Sequence, residues 1–114
     1  MFKVEDLGEV MAIGFVPLFS LGMTVITPGF LQKAEEFWGE GMDEFFLVCL
    51  SAHTSGAAWK LLDEHDQKAN ESSLQTRGRI LSSIPFNGKT DGEKFWIITD
   101  PGWETTTFLL PEEY

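Results

Sequence analysis

Ile80-Leu81-Ser82-Ser83-Ile84-Pro85-Phe86, then Asn87-Gly88-Lys89-Thr90-Asp91-Gly92, then Lys94-Phe95-Trp96-Ile97-Ile98-Thr99, is the stretch that decides the fold. Successive side chains of a strand point to opposite faces of a sheet. Ile80, Ser82, Ile84 and Phe86 share one parity, and Leu81 and Ser83 the other. In the second run Phe95 and Ile97 oppose Trp96 and Ile98. The loop between the runs holds two glycines and reads as a hairpin connection. Pro101-Gly102 turns the chain again, and Thr105 to Leu110 makes a third strand that Pro111 ends. Three strands with short links predict an antiparallel meander. Both faces carry large apolar residues, so the sheet is expected to be covered on both sides or to present a self-associating face.

Upstream, the period lengthens to that of a helix. Thr27 is a helix cap and Pro28 a first helical residue, and Phe30, Leu31, Ala34, Phe37 and Trp38 keep helical spacing up to Gly39 and Gly41. Asp43 reads as a second N-cap, opening the apolar run Phe45 to Ala52, which fits a buried strand or a buried helix, the capping signals favouring the helix, and stops before Gly56. Asp63 caps a third helix running to about Gln75, with Asp66 placed to answer the cap. That helix is polar, and Ala69 and Leu74 predict a narrow contact with the core. Met23 to Thr27 is short and β-branched, as a strand would be. The fold class is therefore α+β: a three-stranded antiparallel C-terminal meander, open to extension by N-terminal strands, packed with about three helices. Residues 1–114 read as a single domain, a usual size for one.

Charge bounds the function. Eight Lys and Arg stand against eighteen Asp and Glu, giving a net charge of -10. Binding to nucleic acid draws on a basic face that displaces counterions from phosphates. Arg77, Arg79 and Lys60 are scattered, so direct binding of nucleic acid is not expected. An anionic membrane surface would repel such a chain. Acidic charge keeps a protein soluble, and an acidic face can also compete with nucleic acid for a basic, nucleic-acid-binding protein partner. Val10 to Leu21 is apolar, but it is too short to span a bilayer and follows Glu5, Asp6 and Glu9 where a signal peptide would be basic. It reads as a strand or extended segment on the core. The single cysteine, Cys49, is flanked by apolar residues and reads as a small buried hydrophobe in a reducing, cytoplasmic compartment.

Chemistry-bearing side chains concentrate in one cluster: His53, Ser55, Asp63, His65, Asp66 and Asn70. As a metal site it would use His53 with His65 or Asp66, but the spacing matches no known metal motif. The competing reading has Asp63 and Asp66 capping a helix and His53 bonded to a backbone group or a carboxylate. Ser55 lacks a nucleophile-elbow pattern. Phosphate loops and dinucleotide fingerprints are absent, so no cofactor is expected. Three aromatic residues are candidates for interaction. Trp103 lies in a turn, Trp59 in the connection before the third helix, and Tyr114 ends the acidic tail Pro111-Glu112-Glu113-Tyr114. Each could instead pack against the core.

The chain also resembles a family of short uncharacterised plasmid-related proteins, encoded on proteobacterial plasmids and integrative elements. The residues that carry the resemblance are Thr27 to Leu31, His53-Thr54-Ser55-Gly56, Trp59 to Leu62, Asp66 to Asn70, Gly78 to Ser82, Lys94 to Thr99 and Thr106 to Tyr114. Trp59 is followed by Lys60, where the family has glycine. The resemblance implies an origin in a mobile element or phage and implies no reaction. The leading expectation is a non-catalytic accessory protein that binds another protein, for example in host defence or element maintenance. The alternatives are a small metal-assisted hydrolase at His53 and Asp66, and a structural homodimer formed through the sheet or exposed Trp residues.

Overall fold

The computed structural model describes residues 17–88 and 92–114. Four strands form one mixed sheet: β1 (Met23–Ile26), β2 (Ile80–Pro85), β3 (Lys94–Thr99) and β4 (Thr105–Leu109), in the spatial order β1-β4-β3-β2. The meander of β2, β3 and β4 is antiparallel throughout, as its turns dictate. The fourth strand is the N-terminal extension the sequence left open, and its parallel pairing is what the sequence did not indicate. β1 joins β4 in parallel, with Thr24 opposite Thr106 and Ile26 opposite Phe108. A parallel neighbour is reached only by a long crossover, here most of the chain, so no local turn signal announces it. Gly22 makes the approach possible: its φ is 64°, and a Cβ there would lie 2.1 Å from the Glu104 carbonyl oxygen.

Helix α1 (Pro28–Trp38) starts as its sequence indicates. The Thr27 hydroxyl accepts from the Phe30 N–H at 3.2 Å, and Pro28 occupies the first turn. Helix α2 (Met42–Ser55) begins two residues earlier than an Asp43 cap would place it. Gly41 is the cap residue, and Asp43 and Glu44 lie inside the first turn, where the helix dipole favours carboxylates. Helix α3 (Glu64–Thr76) is capped by Asp63, whose carboxylate accepts from the Asp66 N–H at 2.8 Å.

Helices α1 and α2 cover the sheet face built from Ile84, Phe95, Ile97 and Phe108. Phe30 stands at the centre of this core, with the rings of Phe46, Phe86, Phe95 and Phe108 at 5.5, 5.7, 5.0 and 5.1 Å. Truncating such a ring costs about 3–5 kcal/mol. A second cluster, Phe19, Trp59, Leu62 and Ile80, closes one end. The expected segment Val10–Leu21 lies largely outside the described residues. Within them, Phe19 is buried and the Leu18 N–H bonds the Thr54 carbonyl at 2.7 Å.

Helix α3 touches the sheet differently from the expected Ala69 and Leu74 stripe. Ala69 is exposed and Leu74 half-buried, while Asn70 is buried. Its amide donates to the Leu81 carbonyl at 2.7 Å and accepts from the Leu81 N–H at 3.0 Å. The side chain thus pairs the outer edge of β2 as a neighbouring strand would. A polar residue makes this contact because the edge offers backbone groups that an apolar side chain would leave unpaired.

Candidate functional site

The most concentrated buried polar chemistry runs across the whole sheet. His53, near the end of α2, is fully buried against the inner face. Its Nδ1 lies 2.6 Å from Ser82 Oγ on β2, and its Nε2 lies 2.9 Å from Thr99 Oγ1 on β3. Thr99 Oγ1 is 2.7 Å from Thr106 Oγ1 on β4, which donates to the Leu21 carbonyl at 2.7 Å, just before β1.

The last acceptor orients the chain back as far as the His53 Nε2–H. A carbonyl oxygen only accepts, so Thr106 spends its proton on Leu21 and must accept from Thr99. Thr99 has then spent its own proton and accepts from His53 Nε2–H. Burial pushes the imidazole pKa down from 6.5 to about 3, which keeps the ring neutral. With its one proton on Nε2, the ring accepts from the Ser82 hydroxyl at Nδ1. A Ser–His contact invites a nucleophile–base reading. Here Ser82 and His53 are both fully buried, and the far nitrogen is held by a hydroxyl in place of a carboxylate. In this arrangement the network is built to join three strands and the segment leading into β1 to a helix.

The cluster read from the sequence does not converge. His53 faces the sheet with both ring nitrogens engaged, by hydroxyls and not by the backbone group or carboxylate expected. Ser55 turns the end of α2, donating to the Ala52 carbonyl and accepting from the Ala57 N–H at 3.0 Å. Asp63 and His65 are exposed at the start of α3, Asp66 is half-buried there, and Asn70 serves the β2 edge. Among the described residues no group of three His, Cys, Asp or Glu side chains could hold a metal ion. Cys49 is fully buried, and burial pushes its thiol pKa far up, away from thiolate chemistry.

The three aromatic candidates are placed unequally. Trp59 is buried beside Phe19, and its indole N–H has no hydrogen-bond partner among the described residues. Trp103 folds back onto the end of α3. Its indole N–H donates to the Gly78 carbonyl at 2.9 Å, and the Arg77 guanidinium lies over its ring at 4.9 Å. Arg77 and Trp103 both adopt left-handed backbone, at φ 56° and 59°. Gly102 N–H to Arg77 carbonyl at 2.7 Å and Arg77 Nη2 to Gly102 carbonyl at 2.8 Å hold the pair in it. Tyr114 stays exposed, with its ring edge on Trp96 and its hydroxyl accepting from Arg79 at 2.9 Å.

The tail docks through the residue before it. Glu113 accepts from the Thr27 hydroxyl at 2.5 Å, the Leu110 N–H at 2.9 Å and the Gly29 N–H at 3.2 Å. These bonds hold its carboxyl below the usual carboxylate range, the Thr27 bond most of all. A second helix-capping group is thereby brought from the far end of the chain.

The charged residues divide. Arg77 and Arg79 are spent on the chain's own aromatic rings, Lys33 on Glu93 at 2.9 Å and Lys68 on Glu64 at 3.0 Å. Glu35, Glu36, Glu40, Asp43 and Glu44 are all exposed at the corner where α1 passes into α2, and no Lys or Arg occurs from residue 34 to 59. Among the described residues no helix is long and apolar enough to cross a membrane. Neither family models, nor curated proteins, nor solved structures give a match to this chain.

Sequence reasoning missed Ser82, Thr99 and Thr106 as partners of His53. The available signal was a hydroxyl at an inward parity in each of three strands, beside a lone histidine on an apolar helix.

Proposed function

We propose that this protein is a non-catalytic accessory protein of a mobile element or phage, acting in the cytoplasm by binding a basic protein partner. The observation that carries the reading is the α1–α2 corner. Five exposed carboxylates sit there without a cation between residues 34 and 59. Glu35 and Glu36 occupy the last turn of α1, the end at which the helix dipole opposes negative charge. Stability alone gives no reason for acids in that position, whereas attraction of a cationic surface does. The origin in a mobile element rests on the sequence resemblance. The engagement of both His53 nitrogens and the scatter of the other polar candidates favour binding over the metal-assisted hydrolase.

The test is a charge reversal. Glu35→Lys combined with Glu36→Lys and Glu40→Lys should leave the fold intact by circular dichroism. It should abolish capture of a DNA-binding protein from cells that carry the element. Capture should also weaken steeply with added salt. Capture that the triple variant leaves unchanged, or a native chain that retains no protein at low salt, would remove the reading.

A further inference from the structure

We infer that β1 is a docking edge that accepts an extended segment of a partner protein as a further strand. The segment it fits is apolar in the middle and carries Lys or Arg at both ends. The cationic character rests on the proposed function, while strand addition stands on the geometry of the edge.

Met23 N–H bonds the Glu104 carbonyl at 2.8 Å and Thr27 N–H bonds the Phe108 carbonyl at 3.0 Å. Strand groups alternate in direction, so Met23, Val25 and Thr27 direct their amides at β4. Thr24 and Ile26 direct N–H and C=O to the open side, where no described strand pairs them. The side chains are open as well: Met23, Val25 and Ile26 are 65, 36 and 41% exposed. Edge strands are ordinarily protected by charge, proline, a bulge or a cover. Among the described residues Met23–Ile26 has none of these devices, and no charged residue occurs in the sequence from residue 10 to 32.

Charge at the two ends selects the occupant. Glu104 lies at the Met23 end, and Glu113, bonded to the Thr27 hydroxyl, lies at the Thr27 end. A second copy pairing antiparallel about Val25 would set Glu104 of each copy against Glu113 of the other. It would do so between chains of charge -10. Like charges so placed disfavour the homodimer. A strand with cations at its ends meets carboxylates at both and gains the four outward backbone groups, the mode of β-strand addition.

The experiment uses the full isotope-labelled chain and a capped synthetic peptide, Lys-Val-Thr-Val-Thr-Val-Lys, followed by NMR. Shift changes are expected to centre on residues 23–27, with amide exchange at Thr24 and Ile26 slowed about tenfold or more. Exchanging the peptide lysines for glutamates should weaken binding about tenfold or more. Thr24→Pro removes one outward N–H without touching the β4 ladder, and Ile26→Lys leaves the backbone intact. Both variants should lose the peptide while keeping native circular dichroism. Perturbations mapping away from β1, equal binding of the lysine and glutamate peptides, or no binding at all would each overturn the inference. So would a native dimer by light scattering that Thr24→Pro makes monomeric. A cationic protein captured equally by the native chain and Thr24→Pro would leave the proposed function standing and remove this inference. Peptide docking to β1 in a chain that captures no cationic protein would do the reverse for the strand mode.

Discussion

The two edges of the sheet are treated in opposite ways. At β2 the outward N–H and C=O of Leu81 are both bonded by the buried Asn70 amide, and α3 lies alongside. At β1 the corresponding groups of Thr24 and Ile26 face outward from an apolar, exposed strand. Between the edges the Ser82–His53–Thr99–Thr106–Leu21 chain ties β2, β3, β4 and the segment before β1 to α2. One edge is therefore part of the folded unit, and the other is left as a surface. A protein can seal an edge with a single side chain when that side chain supplies a donor and an acceptor at backbone spacing. The unsealed edge then marks where pairing is still available.

The largest expected effect comes from acid, which attacks the tie between the edges. The His53 pKa is lower in the folded state than its ordinary 6.5, so the neutral ring stabilises fully above pH 6.5. That contribution is lost as pH falls from 6.5 toward about 3, and amounts to on the order of 5 kcal/mol. Urea unfolding at stepped pH should show the loss, and should show it far less in His53→Gln. A native chain as stable at pH 4 as at pH 7 would contradict the proton assignment.

Next comes the sealed edge. Asn70→Leu leaves the Leu81 N–H and C=O unpaired, a cost of about 2–4 kcal/mol in denaturant unfolding. Amide exchange at Leu81 should accelerate with it. An unchanged midpoint would show that water replaces the amide freely.

Proline then compares the two directions of β1. Val25→Pro removes an amide that faces β4 and should cost about 2 kcal/mol or more. Thr24→Pro removes one that faces outward and should cost less than about 1 kcal/mol. Equal costs would mean that the register of β1 is wrong.

The smallest effect is at the tail. Glu113→Gln weakens the second cap of α1 by less than about 1 kcal/mol, since the carboxylate is exposed. Its folded pKa is depressed, so the native contribution is present above the unfolded carboxylate range and lost as pH falls through the folded value. The difference between Glu113 and Gln at this position should vanish in acid.

The sequence by itself determined the α+β class, the C-terminal meander, the three α-helices among the described residues and the caps at Thr27 and Asp63. Each rests on signals a few residues long: a period of two, a period near 3.6, a capping side chain, a turn glycine. Only the tertiary structure decided the parallel place of β1, the work of Asn70, the partners of His53 and the docking of Glu113 onto α1. Those contacts join residues 46 apart at His53 and Thr99 and 86 apart at Thr27 and Glu113. Asn70 and His53 look like surface or ligand residues in sequence because their polarity is visible there and their partners are not. A buried polar group must be paired, but which distant group pairs it depends on where the whole chain has already folded.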